Sequence, residues 1–225
     1  MDFLGELTQQ LDAFRDLLRG DLSAPVEHCP GWTLRDLADH LGNGNLWVAT
    51  AVRDGHGDHE HVRAPDAALV AWFEDSCKTM LAELSAAPET SAWTFAPPNT
   101  VGFWRRRRCH ETVIHRWDAE NALGGTTPID AELASDGISE VFDTMAPRQV
   151  HLDRAPAPRR AIRISATDAA TTWTYGPGAP EAEIAAPAQA LYLLLWNRLP
   201  LDAPEITCNG DIDVARGCLS GPLVP

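Results

Sequence analysis

The sequence is short of positive charge: 18 lysines and arginines stand against 32 aspartates and glutamates, for a formal net charge of -14. A protein that binds a polyanion needs a basic face to displace its counterions, so this balance excludes nucleic acid as a partner. Long apolar runs are absent too; no stretch approaches the roughly 18 residues needed to cross a bilayer, and no membrane partner is expected. The opening "MDFLGELTQQ" has neither the basic nor the apolar region of a signal peptide, so a cytoplasmic location is expected. Five cysteines (Cys29, Cys77, Cys109, Cys208, Cys218) make an odd count without CxxC spacing, which excludes a disulfide framework and a zinc ribbon. Internal repeats and low-complexity tracts are also missing. What remains is a 225-residue chain with 44% hydrophobic residues, enough to bury one large core or two small ones.

The first half has helical periodicity. Leu4, Leu7, Leu11, Phe14 and Leu18 recur at three- and four-residue spacing, and Gly20 is placed to end that helix. Thr33 followed by Asp36 resembles a capping box, ahead of a second stripe of Leu34, Leu37, Leu41, Val48 and Val52, with His40 beside it. A third helix is expected from Pro65 through Leu84, and a fourth from about Gly102 to Leu123, stopped by Gly124-Gly125. These read as a four-helix bundle. A further short helix is expected over Ala131 to Met145. The segment "APRQVHLDRAPAPRR" then reads as a linker, giving a first domain over 1–147 and a small α+β domain over 158–225. In the latter, "RAIRISATD", "TTWTYGPG", "EAEIAAP" and "EITCNG" are extended, while "AQALYLLLWNRL" and "DIDVARGCL" are helical.

The stretch "RRRRCHETVIHRWDAE" (105–120) concentrates chemistry on the fourth helix. Residues four apart on a helix stand nearly above one another, so Glu111 and His115 share a face, whereas His110 and His115 diverge by about 140°. A carboxylate and an imidazole so placed supply two metal ligands, and a third from another helix would leave one coordination position open. His40 is the candidate for the third. Arg107 and Arg108 lie one turn before Glu111, near that face; Arg105 and Arg106 are expected to point away, solvated or paired with the acidic surface. "HGDHEH" offers His56, His59 and His61, but reads as a mobile polar connection, since nothing in the sequence rigidifies it.

"HCPGWTLRDLADHLG" (28–42) and "RRRRCHETVIHRWDAENALGG" (105–125) resemble the two signature segments of the mycothiol-dependent maleylpyruvate isomerase family. The resemblance implies an N-terminal four-helix bundle of the DinB type followed by a small α/β domain like the sterol carrier proteins. It further implies a divalent metal, usually zinc, on the histidine of H-L-G and the Glu and His of E-x-x-x-H, here His40, Glu111 and His115. Zinc with three protein ligands deprotonates a thiol bound at its open position, and in the family that thiol is mycothiol. The thiolate would add to an activated alkene and leave again, giving isomerisation, or displace a leaving group, giving S-transfer.

A cation is needed to steer an anionic substrate and stabilise an enolate. Arg108 is one candidate. Arg198, which the resemblance places at an arginine reaching toward the cleft between domains, is the other, and a charge complementing its helix C-terminus is the competing reading. The expected partners are a small-molecule substrate and mycothiol, with the protein a monomer or homodimer. Two alternatives stay open: a non-haem iron enzyme using the same two histidines and glutamate, and a non-catalytic small-ligand-binding protein with a structural metal. Cys29 in "HCPGW" is expected to serve the turn before the second helix, and Trp32, Trp47, Trp104 and Trp117 are core candidates before they are ligand contacts.

Overall fold

A computed structural model describes residues 1–225, which divide into two units, Met1–Thr127 and Pro128–Pro225. In the first, α1 (Phe3–Leu17) starts at Asp2, whose carboxylate accepts from Gly5 N at 3.1 Å. Helix α2 (Leu34–Arg53) begins with a complete capping box: Thr33 Oγ1 accepts from Asp36 N, and Asp36 Oδ2 accepts from Thr33 N at 2.9 Å. Helix α3 (Leu69–Leu84) is preceded by one 3-10 turn over Asp66–Ala68, so the regular helix starts a turn later than Pro65 suggested. Helix α4 (Val101–Ala122) is capped by Thr100 and ends where Gly124 takes a φ of 91°, a left-handed turn that glycine adopts without a Cβ penalty.

Helix α1 packs on α4 and α2 on α3, with α2 also against α4. Leu7, Leu11 and Phe14 from α1 share a core with Leu34, Leu37 and Leu41 from α2 and with Phe73, Met80 and Leu84 from α3. Helix α4 is buried around most of its circumference, and with it Arg107, Arg108, His110, His115, Arg116 and Asp118. Charges held out of water need partners, and Arg108, His115 and Arg116 each have a carboxylate oxygen at 2.9, 3.0 and 2.6 Å.

The second unit has a four-stranded mixed sheet of order β2-β1-β3-β4, from β1 (Ala161–Ala166), β2 (Thr171–Tyr175), β3 (Pro180–Ala186) and β4 (Thr207–Gly210). β1 runs parallel to β3; the other pairs are antiparallel. Before the sheet come α5 (Ala131–Glu140), a π turn (Val141–Met145) and α6 (Ala146–His151). Pro147 lacks the N–H that would close the preceding turn, and the register widens just ahead of it. Helices α7 (Ala188–Leu195) and α8 (Ile212–Cys218) pack on β1 and β3.

The segment 131–151 therefore sits with the sheet, whereas the sequence reading put 1–147 in the bundle and opened the second domain at 158. Its side chains explain the placement. Ser139 Oγ accepts from Trp173 Nε1 at 2.9 Å, Phe142 stacks on Tyr175, and α5 packs along α7. No helix is long and apolar enough to cross a membrane.

Candidate metal centre

Three side chains from two helices meet in the first unit. Helix α4 presents Glu111 and His115 one turn apart, and α2 presents His40 opposite them; His40 Nε2 is 3.2 Å from Glu111 Oε1. The His40 and His115 rings are 5.1 Å apart and nearly perpendicular. One ligand atom from each of the three lies within 4.8 Å of the others. Tetrahedral bonds of about 2.0–2.2 Å place ligand atoms about 3.3–3.6 Å apart, so the donor set fits zinc after a small contraction.

Behind the trio stands a residue that the sequence reading did not single out. Asp118 is fully buried, and its Oδ2 lies 3.0 Å from His115 Nδ1. With Nδ1 so engaged, Nε2 is the ring nitrogen left for a metal, the usual arrangement by which a carboxylate fixes the tautomer of a ligating histidine. The available signal was the i, i+3 spacing of His115 and Asp118 on one helix face. Cys29, His115 and Asp118 also converge within 4.8 Å, and Cys29 Sγ is 3.9 Å from Asp118 Oδ2. That second set uses the His115–Asp118 hydrogen bond itself as two of its members, so it competes with the orienting contact. Backbone bonds from Cys29 N to Val26 O and from Trp32 N to Cys29 O keep Cys29 in the turn before α2.

Arg108 holds the carboxylate of the trio. Its Nη1 is 2.9 Å from Glu111 Oε2, and its Nη2 donates to Leu41 O at 3.1 Å and to Asn45 Oδ1 at 2.7 Å. Asn45 continues to Ser76 Oγ and so ties α4 through α2 to α3. Arg107 Nε is 3.8 Å from the same carboxylate oxygen. Burial would raise the Glu111 carboxyl, but Arg108, the His40 hydrogen bond and Arg107 together hold it well below the usual carboxylate range. Burial lowers the His115 imidazole, against the opposing pull of Asp118, which favours the neutral ring that a metal requires.

The other residues of the motif have separate duties. Arg105 points away from the trio and donates to Leu84 O and Ala86 O at 2.9 and 2.7 Å, and so caps the C-terminus of α3 where solvent or an acidic surface partner was expected. His110 is fully buried against Phe3, away from the trio. Trp104 is core and donates to Trp93 O at 2.6 Å; Trp32 and Trp47 line a cavity.

That cavity, of about 680 Å³, is open to solvent and lined by His40, Glu111 and Arg108 on one side and by His59 and His61 on the other. The "HGDHEH" connection is held in place along its length. Arg35 Nη2 donates to Ala64 O, Asp39 Oδ1 accepts from Ala64 N, Asn43 bonds both backbone groups of Val62, and Trp47 Nε1 donates to Gly57 O. These four residues of α2 are spaced by four, forming one stripe that grips the main chain of the loop.

Residues 4–120 match the family model described as the mycothiol maleylpyruvate isomerase N-terminal domain, and residues 132–217 match its C-terminal domain. The chain belongs to the mycothiol maleylpyruvate isomerase family. Relatives of this family member include Uncharacterized protein MT0763 and Uncharacterized protein Rv0738 of Mycobacterium tuberculosis. Each is 28% identical over 174 residues, spanning 71% of this chain and 91% of the relative. A crystal structure of the mycothiol-dependent maleylpyruvate isomerase superposes with a TM-score of 0.71 at 13% identity, covering 93% of both chains. A structure of its histidine-to-alanine mutant gives 0.69 at 12%. The family fold, a helical N-terminal region followed by a small four-stranded mixed sheet, is therefore shared. In this member of the family, Arg198 follows α7 in the second unit, donates to Trp196 O at 2.7 Å and stands 5.8 Å from the Trp196 ring centre.

Proposed function

We propose that this chain is a zinc-dependent enzyme that activates mycothiol for addition to, or transfer onto, a small electrophile. The observation that carries the reading is the convergence of His40, Glu111 and His115, with Asp118 orienting His115, at the wall of an open cavity. These three residues would hold the ion. Held there, zinc would supply the acidity that lets a bound thiol ionise at neutral pH. The rest of the site is protein chemistry. Arg108 keeps Glu111 ionised and aimed, Asp118 fixes the His115 ring, and the cavity admits the thiol and its reaction partner. Arg108 has its hydrogen bonds committed inside the bundle, which suits it to positioning Glu111, while Arg198 is our candidate for orienting an anionic substrate.

The test is metal analysis followed by a thiol assay. Purified protein should carry about one zinc per chain, and His40→Ala or His115→Ala should remove it. The zinc form should isomerise maleylpyruvate only when mycothiol is present, with the thiol recovered, or consume mycothiol with a member of a panel of electrophiles. Iron at the site would move the reading to oxygenase chemistry. Zinc with neither mycothiol-dependent isomerisation nor thiol consumption across the panel would leave a structural metal and sink the proposal.

A further inference from the structure

Thiol activation produces a proton, and the structure assigns a place for it: we infer that His61, held by Asp39, accepts the proton of the thiol and returns it later in the reaction. The inference rests on the reading of His40, Glu111 and His115 as the thiol-activating centre. His61 lines the same cavity as His40 and Glu111. Its Nε2 is 2.9 Å from Asp39 Oδ2, and Asp39, whose side chain is only 13% exposed, uses its other oxygen to accept from Ala64 N at 2.7 Å. One carboxylate thus accepts from the main chain of the loop and stands as the counter-charge to the ring that the loop carries. With Nε2 set 2.9 Å from a carboxylate oxygen, Nδ1 is the ring nitrogen left to act as the base.

The remaining polar groups at the cavity wall are committed. His40 belongs to the trio, Arg108 is bound to Glu111, Asn45 and Leu41 O, and Asp36 closes the capping box of α2. His59 Nε2 faces Asn43 Oδ1 at 3.4 Å, and burial together with neighbouring His61 lowers its imidazole, making it the poorer base. His61 is 62% exposed, so a proton on it exchanges with bulk water. The chemistry balances. The S–H bond breaks with its electron pair left on sulfur, and the proton moves to Nδ1 of His61. The sulfur pair then forms the C–S bond, and the resulting carbanion or departing group takes the proton back, restoring the neutral ring. In isomerisation the C–S bond breaks again, and the proton stays on His61 until the thiol leaves.

Two measurements test this. In metal-free wild-type protein with 15N-labelled histidine, the nitrogen shifts of His61 should report the Nε2-protonated tautomer; the Nδ1-protonated tautomer overturns the inference. In cobalt-substituted full-length protein mixed with mycothiol, the thiolate-to-cobalt absorption should rise at least about tenfold more slowly in His61→Gln than in wild type. It should reach the same final amplitude, and 2-methylimidazole, a base too hindered to ligate well, should restore the rate. A rate within twofold of wild type, or a slowing that the added base does not relieve, overturns it. Failure of the proposed function is separately visible, because wild-type protein would then give no thiolate band, and this inference would fall with it. His61 is exposed, and Arg35, Asn43 and Trp47 hold the loop without it, so the variant should fold and bind cobalt as wild type does.

Discussion

Gly44→Ala should invert the ordinary consequence of replacing a helical glycine. In an unencumbered helix interior that change stabilises by about 1 kcal/mol. At position 44 the added Cβ would meet Arg108 Nη1 at 2.6 Å, with Cζ and Nη2 at 3.2 and 3.3 Å. Ordinary contact begins near about 3.5 Å, so the guanidinium has to retreat by about 1 Å. Arg108 is 1% exposed, and both of its terminal nitrogens are engaged, so it can retreat only by giving up those contacts. Its bonds of 2.7 Å to Asn45 and 2.9 Å to Glu111 would stretch past the range of a hydrogen bond.

Losing one charge-assisted bond costs about 1.5–3 kcal/mol, which exceeds the helix-propensity gain and leaves a net loss of about 0.5–2 kcal/mol. Glu111 would also lose the contact that aims it, lowering zinc affinity by about 10- to 100-fold, as disturbed outer contacts of metal ligands usually do. Urea titration of the metal-free protein measures the first effect, and competition with a chromogenic chelator the second. The shorter head of Arg108→Lys makes room, so in that background Gly44→Ala should be neutral or stabilising; the cycle isolates the coupling. If Gly44→Ala stabilises the otherwise unaltered chain by the usual amount and zinc binding does not change, Arg108 is not the anchor described here.

Asp118→Asn keeps the shape of the side chain but should weaken zinc binding by about 10- to 100-fold, read by the same chelator competition; unchanged affinity would remove Asp118 from the site. Arg198→Ala should keep its zinc and lose about ten- to more than a hundredfold in kcat/KM on an anionic electrophile, the equivalent of about 1.5–3 kcal/mol. Wild-type kinetics in that variant would reassign substrate binding to other residues. Acid should weaken the start of α2. The Thr33 hydroxyl and backbone N–H hold the Asp36 carboxyl below its usual range, so the unfolded chain binds this proton at higher pH than the folded one. The contribution is therefore present above the unfolded pKa and lost as pH falls through the folded one. Urea midpoints near pH 6 and pH 3 should differ less in Asp36→Asn than in wild type, and an equal difference would refute this.

Local physics made some of this legible in the sequence. A capping box is written in two residues three apart, and Thr33 and Asp36 form it. Helical geometry alone puts Glu111 under His115 and sends His110 elsewhere. His40 could be nominated because it borders the α2 stripe, although only the packing of α2 on α4 brings it to 3.2 Å from Glu111. What could not be read were contacts between a side chain and a distant main chain. Arg105 looks like a surface charge until the end of α3 arrives beside it. The His59 and His61 loop looks mobile because its restraints come from Arg35, Asp39, Asn43 and Trp47, whose targets are peptide groups without a sequence signature. The domain boundary was misplaced for a related reason: proline and charge after Met145 suggested a linker there, while Phe142 and Ser139, just before it, have their partners on β2.

The α2 stripe has a consequence for how this scaffold can be altered. Because Arg35, Asn43 and Trp47 hold carbonyls and amides, most residues between 57 and 64 can be exchanged without changing the route that the chain follows. Gly57 is an exception, since a Cβ there would come within 2.2 Å of the Trp93 ring. Around that fixed point, His59 lines the cavity and Glu60 is exposed, and side chains at these two positions can be recombined while the helix below keeps the register. A library confined to those two positions would vary recognition while leaving His61 and the assembly of the metal centre alone, because neither position touches the bonds that place His40, Glu111 or His115.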